Sequence, residues 1–398
     1  MCLTAYTGFM SKIDNIEALS TAVSATTMTL FKRRCLSMRN WKSSCNKCID
    51  ACPHDAIKRS VGHIDIDSMV CTSCGACASA CPTGVFATTS PTQGEIVRLA
   101  REAAQNYGDV ACFACEPHAT KLGLDTERIV VLPCLDYLDE YLLIGLLSCG
   151  IKNVAVFKQD CTGCAICGTP RIEAAVKTAR KLCKEWGSAG KPKIFTEVPE
   201  DLTGYKTKTT SGGESKRDAF RGAGSSLMGY AVEAVDKTLD PEKVAEAERK
   251  KKERVLIKME EHYDASTCRS GRLLNMLDRI GTRPKDKCIE TDFWAQVVID
   301  DHNCKHCGIC GGMCPTGALT YEQQEAKLRR DQHKMPGTLT FRPEQCINCK
   351  LCMDACFKKA LTLDTNVRVD TLVAGAVQTF YEDEPPRTAP SLFDRRIL

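Results

Sequence analysis

The 398-residue chain has little histidine, little net charge and no long apolar run. Its 7 histidines are scattered and supply no metal triad. The absence of any stretch of about 18 apolar residues argues against a membrane-spanning helix. The 54 Lys and Arg residues against 50 Asp and Glu leave a formal charge of +4. That is too little for the concentrated basic face that nucleic acid requires. No Gly-x-Gly-x-x-Gly follows an apolar strand, so a nicotinamide or flavin site is not supported. Gly212-Gly213, Gly222 and Gly224 read as loop glycines, and no nucleophile sits beside an organised base. The stretch 1–30 is rich in Thr, Ser and Ala but lacks the charged, then apolar, then cleavable order of a secretory leader. Met10-Ser11-Lys12-Ile13-Asp14 reads as an ordinary cytosolic start, and Arg33-Arg34 is followed by polar and charged residues rather than an apolar stretch.

What the chain has is cysteine, 27 of them. Disulfide frameworks belong to short secreted chains. This chain is long enough for two or three domains, and its 43% hydrophobic content can build real cores. Reduced, metal-bound thiolates in a cytoplasmic protein are the better explanation. The cysteines are also clustered. Cys35, Cys45, Cys48, Cys52, Cys71, Cys74, Cys77 and Cys81 form one group. Cys304, Cys307, Cys310, Cys314, Cys346, Cys349, Cys352 and Cys356 form another. Between them lie Cys112, Cys115, Cys134, Cys149, Cys161, Cys164 and Cys167.

The first and last groups repeat one unit, Cys-x-x-Cys-x-x-Cys-x-x-x-Cys followed by a turn and an apolar strand. Full copies begin at Cys71, Cys304 and Cys346, with Pro82 and Pro315 after two of them and Phe357 after the third. Cysteines at every third residue of a tight loop can wrap three corners of a [4Fe–4S] cube. Gly75 and Gly308 let the backbone approach and aim amides at the sulfides. Four-cysteine zinc sites instead place two separate Cys-x-x-Cys pairs. His302 and His306 flank one loop and read as exposed tuning residues, not ligands.

These stretches resemble two-cluster bacterial ferredoxins over roughly a quarter of the chain. In that family the last cysteine of each run ligates the other cluster. The resemblance therefore implies Cys304, Cys307, Cys310 and Cys356 for one cluster and Cys346, Cys349, Cys352 and Cys314 for a second. At the N-terminal end it implies Cys71, Cys74 and Cys77 with Cys52. The remaining run, Cys45-Asn46-Lys47-Cys48-Ile49-Asp50-Ala51-Cys52-Pro53, has Lys42 where its first cysteine should fall. Either Cys35 replaces it and joins Cys45, Cys48 and Cys81, or the site keeps three ligands, as a [3Fe–4S] centre would.

The middle of the chain alternates apolar strands and amphipathic helices, which predicts a parallel sheet. Strands are expected at 110–115, 128–134, 153–158 and 193–198, and helices at 94–106, 138–148 and 170–186, with Thr169 as N-cap before Pro170. Strand ends then bring Cys112, Cys115, Cys134, Cys161 and Cys164 to one crevice, where helix N-termini would lower thiol pKa values. Cys149 and Cys183 read as packing residues. The region resembles the small iron–sulfur subunit of methyl-viologen-reducing hydrogenase, which links hydrogenase to heterodisulfide reductase. The resemblance rests on Cys112/Cys115, Pro133-Cys134 and the 150–164 segment. It implies a [2Fe–2S] cluster. The tighter Cys161-Thr162-Gly163-Cys164-Ala165-Ile166-Cys167 motif departs from that family and leaves a [4Fe–4S] cluster open.

The expected architecture is thus multidomain, α+β and α/β: two ferredoxin-like dicluster modules flanking a central parallel-sheet α/β domain. Its parts are an N-terminal extension (1–34), a dicluster module (35–92), the central iron–sulfur domain (93–199), a polar helical connector (200–295), a second dicluster module (296–370) and a tail (371–398). A charged helix at 241–261 is expected within the connector. The expected function is a polyferredoxin-type electron-transfer subunit with four [4Fe–4S] clusters and one further [2Fe–2S] or [4Fe–4S] cluster. Its partners would be a catalytic oxidoreductase subunit and a redox donor or acceptor protein, with no nucleic acid and no membrane span. The competing readings are a redox enzyme reducing a disulfide or small molecule in the central crevice, and a structural zinc protein.

Overall fold

The computed structural model describes residues 28–60, 62–167, 171–203, 269–323, 337–373 and 375–382. The charged stretch 241–261, the Thr169-Pro170 pair and most of the tail lie outside the described residues.

The N-terminal module is built from four short strands. Met28–Leu30 (β1) pairs antiparallel with Phe86–Thr88 (β4), and Ile57–Ser60 (β2) with His63–Ile66 (β3). One cysteine run lies between β1 and β2, the other between β3 and β4. Short helices, Lys47–Asp50 and Ala76–Ala80, carry Cys48 and Cys77, and the last cysteine of each run follows the helix end.

The central domain holds Val110–Cys115 (β5), Ile129–Leu132 (β6), Asn153–Phe157 (β7) and Pro192–Phe195 (β8). They form one parallel sheet in the order β6-β5-β7-β8. The inner strands are almost wholly apolar because both faces are covered. On one face Ala111, Phe113, Val130, Leu132, Val154 and Val156 meet the helices Gln93–Gln105, Glu140–Ser148 and Ile172–Glu185. On the other, Cys112, Ala114, Ile129, Ala155 and Phe157 meet Leu124 and Leu202. The helix Gln93–Gln105 starts on a capping box: Thr92 Oγ1 accepts from the Glu95 N–H at 3.2 Å, and the Glu95 carboxylate accepts from the Thr92 N–H at 2.7 Å.

The helix Arg269–Ile280 belongs to this same core. Leu273, Leu274 and Leu277 are fully buried in it, and Met276 Sδ fills the space beside Gly145 on the helix Glu140–Ser148. Trp186 Nε1 donates to Asp278 at 3.0 Å. The connector expected at 200–295 therefore ends in an integral helix. Its leucine stripe is narrow, and the charged residues on its other sides disguised it.

The C-terminal module repeats the N-terminal topology. Cys288–Glu290 (β9) precedes it. Gln296–Ile299 (β10) pairs antiparallel with Leu361–Asp364 (β13), and Leu319–Gln323 (β11) with Gly337–Phe341 (β12). Again the strand before the first run pairs with the strand after the second. Asn366–Arg368 (β14) returns to pair with β9, and Val367, Val369 and Leu372 enter the central core. Gln378–Glu382 (β15) adds a third strand to β12, with Phe380 against Phe341 at 6.1 Å between ring centroids. Residues 378–382 of the expected tail thus form sheet.

Truncating Leu277 tests whether the helix Arg269–Ile280 is part of the core. Leu277→Ala is expected to cost about 2–5 kcal/mol, the range for a buried leucine, seen as a lowered urea midpoint. An unchanged midpoint would place the helix outside the cooperative unit.

Candidate metal centres

The structure brings sixteen cysteines together in four groups of four. Cys52, Cys71, Cys74 and Cys77 line one small hollow. Cys304, Cys307, Cys310 and Cys356 line another, and Cys314, Cys346, Cys349 and Cys352 a third. In the fourth, the Cys48 thiol lies within the electrostatic reach of Cys81, Cys45 and Cys35. In every group the last cysteine of a run stands with the other run of its module.

The backbone supports thiolates at these positions. The last cysteine of each run accepts an amide from just downstream. Ala56 N–H donates to Cys52 Sγ, Val85 N–H to Cys81 Sγ and Ala360 N–H to Cys356 Sγ, each at 3.3 Å, and Leu319 N–H donates to Cys314 Sγ at 3.4 Å. Such bonds spread sulfur charge and are a means by which proteins tune iron–sulfur potentials. The loops fit close approach as well. Gly75 and Gly308 are left-handed, at φ +82° and +69°. A Cβ on Gly75 would stand 2.6 Å from the Tyr137 ring, and one on Gly308 2.1 Å from the Tyr321 ring. Four clustered thiols, with an amide N–H on the terminal sulfur, fit a [4Fe–4S] cube in each group.

The irregular run lacks the loop geometry of the other three, and Cys35 stands beside it. In the three full runs the residue before the second cysteine (Ser73, His306, Asn348) and the residue after it (Gly75, Gly308, Lys350) all have positive φ. That double left-handed step curls the loop so that the first cysteine faces inward. In the short run Asn46, which corresponds to Gly75, has φ −120°, and Lys42 is exposed beside Trp41. Cys35 enters instead from a short helical turn, buried with Cys48, Cys77 and Cys81. Arg59 pins this arrangement by donating to Ser37 Oγ at 3.0 Å and to the Cys45 carbonyl.

The central crevice is lined by Cys115, Cys134, Cys161, Cys164 and Cys167, with Pro117, Pro133 and Gln159. Cys115 ends β5 and Cys134 follows β6, so the carboxyl edge of the sheet delivers them as expected. Cys167 is the thiol that sequence spacing did not assign here. Its Sγ donates to the buried carboxylate of Asp136 at 3.2 Å, and Asp136 also accepts the Arg171 N–H at 2.7 Å. Cys134, Asp136 and Cys167 have donor atoms mutually within 4.8 Å.

Four expectations need correction. The structure does not bring Cys112 to the crevice. Side chains alternate along a strand, so residues three apart on β5 point to opposite faces, and Cys112 is buried among Leu124, Ile129 and Phe157 beneath the sheet. Cys149 is exposed at the end of its helix and packs no core, whereas Cys183 is buried as expected. His306 is buried rather than exposed, because the left-handed backbone of its loop turns it inward. Helix N-termini do not win the contest over thiol acidity. Burial pushes Cys115 upward despite an amide bond from His118, and takes Cys161 to about 11. Cys134 is driven up by its bond to Cys167 and by burial. Cys48, Cys310 and Cys349 are each pushed to about 12, first by burial, with neighbouring thiols adding to it.

Comparison with known proteins agrees with the flanking geometry. Residues 43–85 and 303–360 match the family model of the 4Fe-4S dicluster domain. The ferredoxin-type protein NapF of Escherichia coli K12 is 25% identical over 126 residues, 31% of this chain and 66% of NapF. NapF of strains CFT073 and O157:H7 aligns to the same extent. The chain spans just under two thirds of the length of these relatives. No solved structure matches. Both stretches are thus of ferredoxin type, supporting [4Fe–4S] clusters and electron transfer.

Two measurements test the centres. Cys35→Ser is expected to lose at least one cluster's worth of iron, and at most the two of its own module, from the anaerobically reconstituted chain, whereas Cys112→Ser keeps full iron. The reverse pattern would reject both placements. pH supplies a second test. Unfolded thiols ionise near 9.0, before buried ones such as Cys48 at about 12. A metal-free chain therefore loses stability as pH climbs from 9.0 toward about 12. Metal binding displaces protons from the same thiols, so a loaded chain instead sheds iron as pH falls. Denaturation midpoints and iron content against pH should show these opposite slopes.

Proposed function

We propose that the chain is a polyferredoxin-type electron-transfer protein. It relays low-potential electrons between a redox protein and a catalytic oxidoreductase such as a hydrogenase, a formate or aldehyde oxidoreductase, or a heterodisulfide-reductase-type complex. The observation that supports this most is the sorting of sixteen cysteines into four groups of four, each with an amide-bonded terminal sulfur. The clusters would be held by Cys35, Cys45, Cys48 and Cys81; by Cys52, Cys71, Cys74 and Cys77; by Cys304, Cys307, Cys310 and Cys356; and by Cys314, Cys346, Cys349 and Cys352. When bound, such clusters supply one-electron redox chemistry at a potential set by hydrogen bonds to sulfur and by solvent exposure.

The chain's own part is to hold sulfur, exclude water and fix the sulfurs' hydrogen bonds. The central crevice would carry a fifth cluster, of [2Fe–2S] or [4Fe–4S] type, on thiols drawn from Cys115, Cys134, Cys161, Cys164 and Cys167. The resemblance of 112–164 to the hydrogenase-linked iron–sulfur subunit supports that assignment and a cytoplasmic setting. The dicluster modules would correspond to 35–92, extended by β1 at 28–30, and to 296–370, and the central domain to 93–199, joined by the helix Arg269–Ile280.

One observation favours a second reading, a redox enzyme working in the crevice. There are five thiols where a cluster uses at most four, and Cys167 already donates to a buried carboxylate. A fifth thiol beside a proton acceptor is suited to disulfide reduction.

Anaerobic purification with iron counting and EPR tests the main reading. Iron sufficient for at least four cubes, with reducible EPR signals, is expected, and near-zero iron would sink it. Cys167→Ser separates the two readings. Unchanged electron transfer favours the relay, and loss of disulfide turnover with intact cluster spectra favours the enzyme.

A further inference from the structure

In sequence the central domain lies between the two ferredoxin modules, which suggests a bridge. The contacts describe another order. Ser44, the neighbour of Cys45, donates to Asp354 Oδ2 through its N–H at 2.8 Å and its hydroxyl at 2.9 Å. Asp354 sits between Cys352 and Cys356 on the helix Leu351–Ala355. The two modules therefore touch directly, with the cluster loop of one against the cluster helix of the other.

The opposite end of the N-terminal module meets the crevice. Cys74 and Ala76 share a buried apolar cluster with Cys134 and Cys167. Thr72 Oγ1 donates to the Ile166 carbonyl at 2.8 Å, and His54 Nε2 lies 3.1 Å from the same oxygen. Thr72 lies between Cys71 and Cys74, and His54 follows Cys52 by two residues. Both loops holding the Cys52 group are thus fastened to the segment joining Cys164 to Cys167. Inside each module the groups adjoin through paired short helices, with Cys48 packed in one cluster with Cys77 and Cys310 in another with Cys352.

We propose that the five cysteine groups form one unbranched electron path. Its order is the Cys304 group, the Cys349 group, the Cys45 group, the Cys74 group and last the central crevice. The central domain is then the terminus of the path and not the link between modules. The proposal rests on the electron-transfer reading above. Each hop moves one electron: the centre that gives is oxidised by one, its neighbour is reduced by one, and no bond or proton moves. A one-electron redox protein docking at the Cys304 end supplies or removes the electron there. The crevice end exchanges with the partner enzyme.

The junction can be probed without touching a ligand. The double substitution Ser44→Cys with Asp354→Cys, in the full chain loaded anaerobically and mildly oxidised, is expected to join positions 44 and 354 by a disulfide in peptide maps, at unchanged iron content. Full iron without that cross-link overturns the path. Near-zero iron in the parent chain overturns the electron-transfer reading instead. EPR of the dithionite-reduced Asp354→Lys chain supplies a second readout. Loss of spin–spin broadening across the module junction, with each centre's own signal kept, is the expected result. An unchanged broadened spectrum at full iron would overturn the path.

Discussion

Thiols packed in fours repel one another as soon as they ionise, and the architecture is organised around that constraint. In the folded chain, burial and neighbouring sulfurs hold Cys48, Cys310 and Cys349 far above the usual thiol range. Such crowding is tolerable in two states only. Either every sulfur keeps its proton, or cationic iron replaces the protons. Intermediate charge is penalised in a dry hollow, so the fold disfavours partly ionised groups. The amide bonds to Cys52, Cys81, Cys314 and Cys356 favour the metal-bound state, because an N–H helps a thiolate more than a thiol.

The surrounding packing holds these groups at fixed distances. Arg269 is the clearest fastener. Its guanidinium donates to the Cys81 carbonyl at 2.8 Å and to the Ser79 carbonyl at 3.4 Å, and pairs with Asp139, the N-cap of the helix Glu140–Ser148. One side chain thus ties a cluster helix of the N-terminal module to the central core. Tyr137 does the same by contact, its ring lying in the space that Gly75 leaves by having no Cβ. Ser44 and Asp354 complete the set at the other junction.

Much of this was legible in sequence, and the divide is physical. Ligand runs are local patterns, so the three complete runs identify their own loops, and a gap at Lys42 points to a substitute. The parallel sheet follows from alternating apolar strands and amphipathic helices, which local sequence also records. Cys112 was misplaced because Cys-x-x-Cys means one thing in a loop and another in a strand. In β5 the spacing of three separates the two thiols by the thickness of the sheet. Cys167 was missed because its partners, Cys134 and Asp136, lie some thirty residues away. The helix Arg269–Ile280 was hidden by charged surroundings, although its leucines carry the helical period. The spatial order of the modules has no local signature, since it depends on single contacts such as Ser44 with Asp354.

The exchange of final cysteines between runs has a consequence for assembly. Each cysteine run offers sulfur to both groups of its module, so neither group can be filled while the other is left in an unrelated shape. Filling the first site positions the donors of the second in advance, and emptying one loosens a donor of its neighbour. A module built this way tends to be found with both sites full or both empty. The pairing of β1 with β4, and of β10 with β13, closes the same loop in the backbone. The interlocked strands and sulfurs make each module a two-site latch, and maturation of the chain would proceed in pairs of clusters.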